Sequence, residues 1–404
     1  MNGIVVIGAG QAGATLVEKL RANGYAGKIT LIGDEPHLPY QRPPLSKKYL
    51  LGEMALERLY LRPATFYAEQ NVEVLTGVSV DTIDRKAKTL SLSDGHNLAY
   101  DKLVLTTGSV PRALPAPIGG QLENVFVVRK LADVDAMSPA FERGGHVLIV
   151  GGGYIGLEAA AVAAMKGLKV TLVEMAGRIL QRVAAPETSD YFRALHQSHG
   201  VNIVEGVGLD HLTGQPAVAG AVLSDGTVLD VDFVIVGIGI TPATKLAEDA
   251  GLAIDNGIAV DFNGQTSDPD IYAAGDCSSF PYRGIRVRLE SVPNAIDQAT
   301  AVAANLAGTP TEYVAKPWFW SDQYDIKLQI AGLNSGYDKT VVRPSERAGS
   351  QSVWYFANER LLAVDAMNDP KAYMNGKRWI EAGLSPTPAE IADPETDLRQ
   401  ITAI

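Results

Sequence analysis

The chain has 404 residues, 46% apolar and 20% charged, enough for two or three domains with cores of their own. Its 35 basic and 46 acidic residues leave a net charge of −11, which argues against wholesale binding to nucleic acid or to an anionic membrane. The one cysteine, Cys277, excludes an internal disulfide and a four-thiolate zinc or iron–sulfur site.

The first element reads as a strand, "IVVIG" at 4–8, with no basic or cleavable leader before it, and a reduced cytoplasmic protein is expected. A helix over 11–22 and the strand "KITLIGDE" at 28–35 complete a βαβ unit. Residues 36–52 contain four prolines and allow no continuous helix until after Pro44. Short strands follow at 72–108, with a hairpin turn at Ser93-Asp94-Gly95, and a proline- and glycine-rich boundary spans 109–120.

A second unit repeats the plan: strand 146–150, helix 154–166, strand 169–174 and a helix near 187–199. The apolar stretch 147–165 is interrupted by a Gly-Gly-Gly turn and by Glu158, so it reads as a buried strand and helix rather than a membrane span. A second boundary falls at 239–244, more strands at 257–276 and a helix at 293–307. From 313 the texture becomes that of an antiparallel meander, followed by a helix near 370–383 and an acidic tail, 390–404, expected to be loosely held. The fold class is α/β: two Rossmann-like dinucleotide-binding domains plus a C-terminal α+β domain with an antiparallel sheet. The boundaries are 1–112 with 238–312, 113–237, and 313–404.

The two units share one device. Gly8, Gly10 and Gly13 recur as Gly151, Gly153 and Gly156, each set between a strand and a helix. The first glycine permits the tight turn, the second lets a pyrophosphate approach the backbone, and the third lets helix and strand pack closely. The helix N-terminus then offers free N–H groups to the phosphates. Each second strand ends in acid, Asp34-Glu35 and Glu174, placed to accept hydrogen bonds from a ribose diol. Two dinucleotides are expected, as hydride chemistry between nicotinamide and flavin requires. No arginine directly follows Glu174 (Arg178 is the first), so NADH is expected over NADPH.

With "LVLTTG" (103–108), "VIVGIG" (234–239) and "TSDPDIYAAGD" (266–276), the glycine turns resemble the two-dinucleotide flavoprotein reductases of the glutathione-reductase fold. "RPPLSK" (42–47), "GGGYIGLE" (151–158), "ESVPNAIDQA" (290–299) and "PWFWSDQ" (317–323) narrow the resemblance, over essentially the whole chain, to the FAD-dependent NADH:ferredoxin reductases. Those serve bacterial cytochrome P450 monooxygenases and ring-hydroxylating dioxygenases. The resemblance implies FAD held by Gly8, Gly10, Ala12, Gly13, Asp34, Glu35, Arg42, Val80, Thr107, Gly108, Arg129, Gly275 and Asp276. It puts Lys47 beside the flavin ring, Val292 capping it and Trp320 near it on the C-terminal side. It implies NADH held by Gly151, Gly153, Tyr154, Ile155, Gly156, Glu158, Glu174 and Gly239, and a [2Fe–2S] ferredoxin as electron acceptor.

Plainer roles stand beside these. Lys47 is also readable as a surface lysine and Arg129 as a solvated strand-end charge. Trp318 and Trp320 share one strand face whether they are core aromatics or not. Glu158 is placed on the first helical turn, where it either favours the helix dipole or pairs with Lys47 at the nicotinamide–flavin junction. Cys277 reads as a small buried filler, and His196 and His199 have no evident third ligand, so no metal site is expected. A thiol-dependent reductase would need cysteine near the flavin. An apoptosis-inducing-factor-like flavoprotein with low turnover is the alternative function. Two basic clusters, Arg283/Arg286/Arg288 and Lys371/Lys377/Arg378, are candidates for steering an acidic ferredoxin.

Overall fold

The structure is a computed structural model that describes residues 2–345 and 347–403. It divides into two compact units, Met1–Arg42 with Met54–Val110 and Thr241–Pro317, and Pro43–Glu53 with Pro111–Ile240 and Trp318–Ile404.

The first unit is built on a five-stranded parallel sheet. Its order is Ile271–Ala273, Lys102–Leu105, Ile4–Ile7, Ile29–Gly33, Val72–Thr76. The central strands are apolar without alternation because both faces are covered. Val5, Ile7, Leu103, Leu105 and Ile271 face one core. Ile4, Val6, Ile29, Leu31 and Val104 face the other, under Leu16 and Leu20 of the helix Gln11–Ala22. That helix packs against Val292–Leu306. The hairpin expected at Ser93-Asp94-Gly95 forms, joining Thr89–Leu92 to Asn97–Ala99.

The second unit repeats the parallel sheet in the order Asn202–Glu205, Lys169–Glu174, His146–Val150, Phe233–Val236, Val125–Phe126. It also holds an antiparallel sheet ordered Trp318–Gln323, Ile326–Gly332, Arg360–Met367, Gln351–Ala357, Lys339–Pro344. The helix Pro370–Ala382 packs on that sheet, its Trp379 ring 5.9 Å from the ring of Trp354.

Two features depart from the sequence reading. A helix runs over Leu131–Arg143, where the sequence reading places none. Its buried residues, Leu131, Val134, Met137, Ala140 and Phe141, have helical spacing, but Pro139 lies inside and reads as a break. The C-terminal tail is not loose: Ile391, Leu398 and Ile401 are buried in the core of the antiparallel sheet. The Arg343 guanidinium, itself buried, donates to the carbonyls of Ile391 (3.0 Å), Asp393 (2.6 Å) and Thr396 (2.6 Å). A charge count alone missed both the apolar anchors and the cation that satisfies the tail backbone. Among the described residues no helix is long and apolar enough to cross a membrane.

Candidate functional site

The two glycine turns are built alike. Gly8 and Gly151 have φ of 110° and 106°, a region costly to any side chain. A Cβ on Gly13 would lie 2.1 Å from the Gly8 carbonyl oxygen, and one on Gly156 2.0 Å from that of Gly151. A Cβ on Gly10 or Gly153 would meet nothing within 4 Å among the described residues. The first and third glycines are thus required by the protein's own packing, whereas the second faces open space at a helix N-terminus. That is the space a pyrophosphate would fill.

Around the first turn most of the candidate FAD residues gather at the carboxyl ends of the parallel strands, where ligands bind in such sheets, whereas Lys47, Arg129 and Trp320 lie in the second unit. A Cβ on Gly275 would come 3.1 Å from that of Ala12. Ser109 Oγ donates to Asp276 Oδ2 at 2.9 Å, and Thr107 Oγ1 to the Ala243 carbonyl at 2.7 Å, on either side of Gly108. Gln298 Oε1 accepts from the Gly275 N–H at 2.8 Å, while its Nε2 is buried without a partner among the described residues. A shallow, solvent-open hollow lies between Ala9, Gly33, Asp34, Glu35, Tyr40 and Arg42. Glu35 is already committed: Arg42 donates to one oxygen at 2.7 Å and the Tyr40 hydroxyl to the other at 2.5 Å. Gly77 and Val78 donate to the Glu35 and Gly33 carbonyls, which brings the start of Val80–Asp84 up beside these acids. Val292 opens its helix under a Ser291 cap that accepts from Asn294 at 3.2 Å. An open pyrophosphate position, an acid-lined hollow and an orphaned buried amide together fit FAD.

Around the second turn, Glu174 accepts from the N–H of Gly152 and of Ala176, both at 2.7 Å, which fixes its carboxylate beside the glycines. Arg178 is turned to Ser189 Oγ (2.5 Å) and the Ala184 carbonyl (2.8 Å) instead. Tyr154, the first residue of the helix, has a buried hydroxyl without a partner among the described residues, Ile155 is exposed, and Gly239 lies near the Arg182 guanidinium. An open backbone and an anchored acid fit the diphosphate and ribose of NADH. Arg129 also lies in this unit, where its backbone N–H donates to Asp133 Oδ2.

Lys47 and Glu158 come together. Lys47 sits in the short helical turn Leu45–Tyr49 that begins directly after Pro44, and its Nζ is 2.9 Å from Glu158 Oε2. Glu158 is not on the first helical turn: the helix starts at Tyr154, so Glu158 is its fifth residue, buried in the second turn beyond the strongest dipole effect. Burial pushes its carboxyl up from the usual range, and Lys47 and Ser321 offset only part of that rise. Ser321 Oγ donates to Glu158 Oε1 at 2.7 Å, a partner that the aromatic texture of "PWFWSDQ" hid.

On the other face of the same strand, Trp318 and Trp320 lie 5.6 Å apart, with Lys377 Nζ 5.5 Å from the Trp318 ring and also paired to Glu381. The other basic cluster is largely spent. Arg288 is nearly buried and paired with Glu290, and Arg286 donates to the carbonyls of Ser279 (2.6 Å) and Val260 (3.0 Å). Cys277 is fully buried, its thiol pushed up by that burial. His196 bonds Gln323, and His199 stacks on Tyr324 at 3.7 Å.

Two βαβ nucleotide units and an antiparallel C-terminal domain define a two-dinucleotide flavoprotein oxidoreductase. The chain belongs to the pyridine nucleotide-disulphide oxidoreductase family, whose model matches residues 2–299, in its putidaredoxin reductase-like ferredoxin reductase branch. A reductase C-terminal model matches 318–402. The chain is 42% identical over 409 residues to putidaredoxin reductase from Pseudomonas putida, covering 100% of this chain and 97% of that protein. It is 44% identical over 401 residues to a ferredoxin–NAD(P)(+) reductase from a Sphingomonas species, covering 98% and 96%. Among solved structures, it matches the covalent putidaredoxin reductase–putidaredoxin complex with a TM-score of 0.95 at 42% identity, over 98% and 97% of the two chains. The ferredoxin reductase for the CYP199A2 system from Rhodopseudomonas palustris matches with a TM-score of 0.96 at 40% identity, over 99% of each.

Proposed function

We infer that this protein is an NADH-dependent ferredoxin reductase that passes electrons from NADH through FAD to a [2Fe–2S] ferredoxin serving a cytochrome P450 or a ring-hydroxylating dioxygenase. One observation carries the reading: the chain builds the dinucleotide turn twice, yet its one cysteine is buried. Two nucleotides without a thiol relay disfavour a disulfide-reducing route and fit delivery of electrons to a separate acceptor. The full-length ferredoxin reductase relatives favour this over a low-turnover binding flavoprotein.

We assign FAD to 1–112 with 238–312, NADH to 113–237 and the acceptor face to 313–404. When bound, FAD takes a hydride from NADH and releases two electrons one at a time. The residues of this chain bind and orient. The turn at Gly8, Gly10, Ala12 and Gly13 holds one diphosphate, with Asp34 at the ribose and Asp276 and Val292 toward the flavin end. The turn at Gly151, Gly153 and Gly156 holds the other, with Glu174 accepting from the ribose hydroxyls. Lys47 and Glu158 serve hydride transfer as a buried, pre-oriented charge pair. Trp318, Trp320, the exposed Met374 and Lys377 offer an aromatic and basic surface to an acidic partner. A single buried cysteine suits a reducing compartment, and we place the protein in the cytoplasm.

The test is anaerobic. NADH should bleach the bound flavin, and oxidised ferredoxin should restore its colour in proportion to the electrons added. Flavin that bleaches but is reoxidised by no ferredoxin, only by oxygen or quinones, would overturn the reading.

A further inference from the structure

Glu158 is the end of a longer chain of side chains, all within the second unit. Ser321 and Gln323 alternate along Trp318–Gln323 and point to its buried face, opposite Trp318 and Trp320. Gln323 Nε2 donates to Ser321 Oγ at 3.1 Å. Gln323 Oε1 lies 2.8 Å from Nε2 of His196, on the helix Pro186–Ser198. A carbonyl oxygen only accepts, so His196 Nε2 carries the proton and its Nδ1 is the acceptor. The Tyr324 hydroxyl, 3.2 Å from Nδ1, is then the donor. Ser321, Gln323 and His196 are fully buried, and His199 stacks on the Tyr324 ring at the outer end.

Every donor in this chain therefore points the same way: Tyr324 to His196, His196 to Gln323, Gln323 to Ser321, Ser321 to Glu158. Bonds aligned head to tail polarise one another, and the donor end of such a chain, here the Ser321 hydroxyl, is more positive and favours an anion as its acceptor. Burial holds His196 at about 4, so it stays neutral and keeps this polarity at working pH. The charged groups facing Glu158 are Lys47, which favours its ionised form, and Asp322, which opposes it. His199 is the titratable neighbour of His196.

We propose that Tyr324, His196, Gln323 and Ser321 are positioning residues for flavin reduction: together they hold the Glu158 carboxylate ionised and aimed at Lys47. This rests on the assignment of the Lys47–Glu158 pair to hydride transfer.

The experiment follows bleaching of the bound flavin by NADH in stopped flow from pH 5 to 9, using the FAD-loaded protein. The wild-type rate falls on the acid side as Glu158 takes up a proton. Ser321→Ala moves that fall upward by about one pH unit, because the ionised form loses a hydrogen bond. Gln323→Leu moves it the same way by less, and the double variant moves it no further than Ser321→Ala, since Gln323 acts through Ser321. Ser321→Thr, which keeps the hydroxyl, restores the wild-type profile. Lowered melting temperatures with an unmoved acid limb in Ser321→Ala and Gln323→Leu would overturn the proposal and leave the pair's assignment standing. Glu158→Gln separates the two ideas. It should abolish the acid limb and slow bleaching, and a wild-type rate and profile there would overturn the assignment and the chain together.

Discussion

Lys47→Met removes the charge from the buried ion pair while keeping the apolar stem and most of the volume. Glu158 Oε2 then loses a partner at 2.9 Å, in a site where the Lys47 and Glu158 side chains are only 18% and 9% exposed. Removing one partner of such a pair costs about 3–5 kcal/mol if the remaining charge stays unpaired. Glu158 has an escape: it can take a proton. Its ordinary value is 4.5. Protonation costs about 1.4 kcal/mol for each pH unit above that, so the loss is capped near 3.4 kcal/mol at pH 7 and near 0.7 kcal/mol at pH 5. The direction follows from the raised carboxyl. A folded state that binds this proton more tightly than the unfolded state is favoured at low pH, and the advantage fades as pH climbs from the unfolded toward the folded value. The variant's defect should therefore be large at neutral pH and nearly vanish near pH 5. Thermal melts by circular dichroism at pH 5 and pH 7, on samples matched for flavin content by absorbance, measure it. Lys48→Met, at an exposed neighbour, serves as control and should change little. In a Glu158→Gln background the Lys47→Met cost should largely disappear. An equal defect at both pH values, or none at pH 7, would refute the reasoning.

The glycines divide by role. Gly10→Val should fold but lose FAD, and Gly153→Val should retain FAD but no longer be bleached by NADH, because both positions open on empty space; absorbance after gel filtration reads this. Gly13→Ala and Gly156→Ala should instead lower the melting temperature, since each added Cβ strikes a carbonyl oxygen near 2 Å; melts unchanged from wild type would count against the packing account. NADH should be used in preference to NADPH, and Glu174→Gln should narrow the ratio of kcat/KM values about tenfold, because a 2′-phosphate no longer meets a carboxylate. Lys377→Glu with Arg378→Glu should raise the KM for ferredoxin several-fold, steepen no NADH parameter and weaken the salt dependence, whereas unchanged ferredoxin kinetics would move the docking face elsewhere.

The repeated strand–glycine–helix pattern determined most of what this protein is. Gly8 and Gly151 need a conformation that few other residues adopt, Gly13 and Gly156 a contact that no side chain permits, and both demands are local, so spacing along the chain exposes them. The places of Asp34, Glu35 and Glu174 were legible for the same reason: Glu174 ends the strand that follows its turn, and Asp34 and Glu35 come directly after theirs. What depends on distant segments was not. Nothing in "PWFWSDQ" shows that Ser321 meets a carboxylate 163 positions earlier, or that Gln323 reaches a histidine on another helix. Nor does the sequence show that Glu35 is held by Arg42 and Tyr40, or that Arg178 turns away from Glu174. Arg343 gathering the tail carbonyls is equally silent. Backbone conformation and strand ends are set by neighbours in the chain. Which buried polar group satisfies which other is set only when packing excludes water, and the tertiary structure alone decides that.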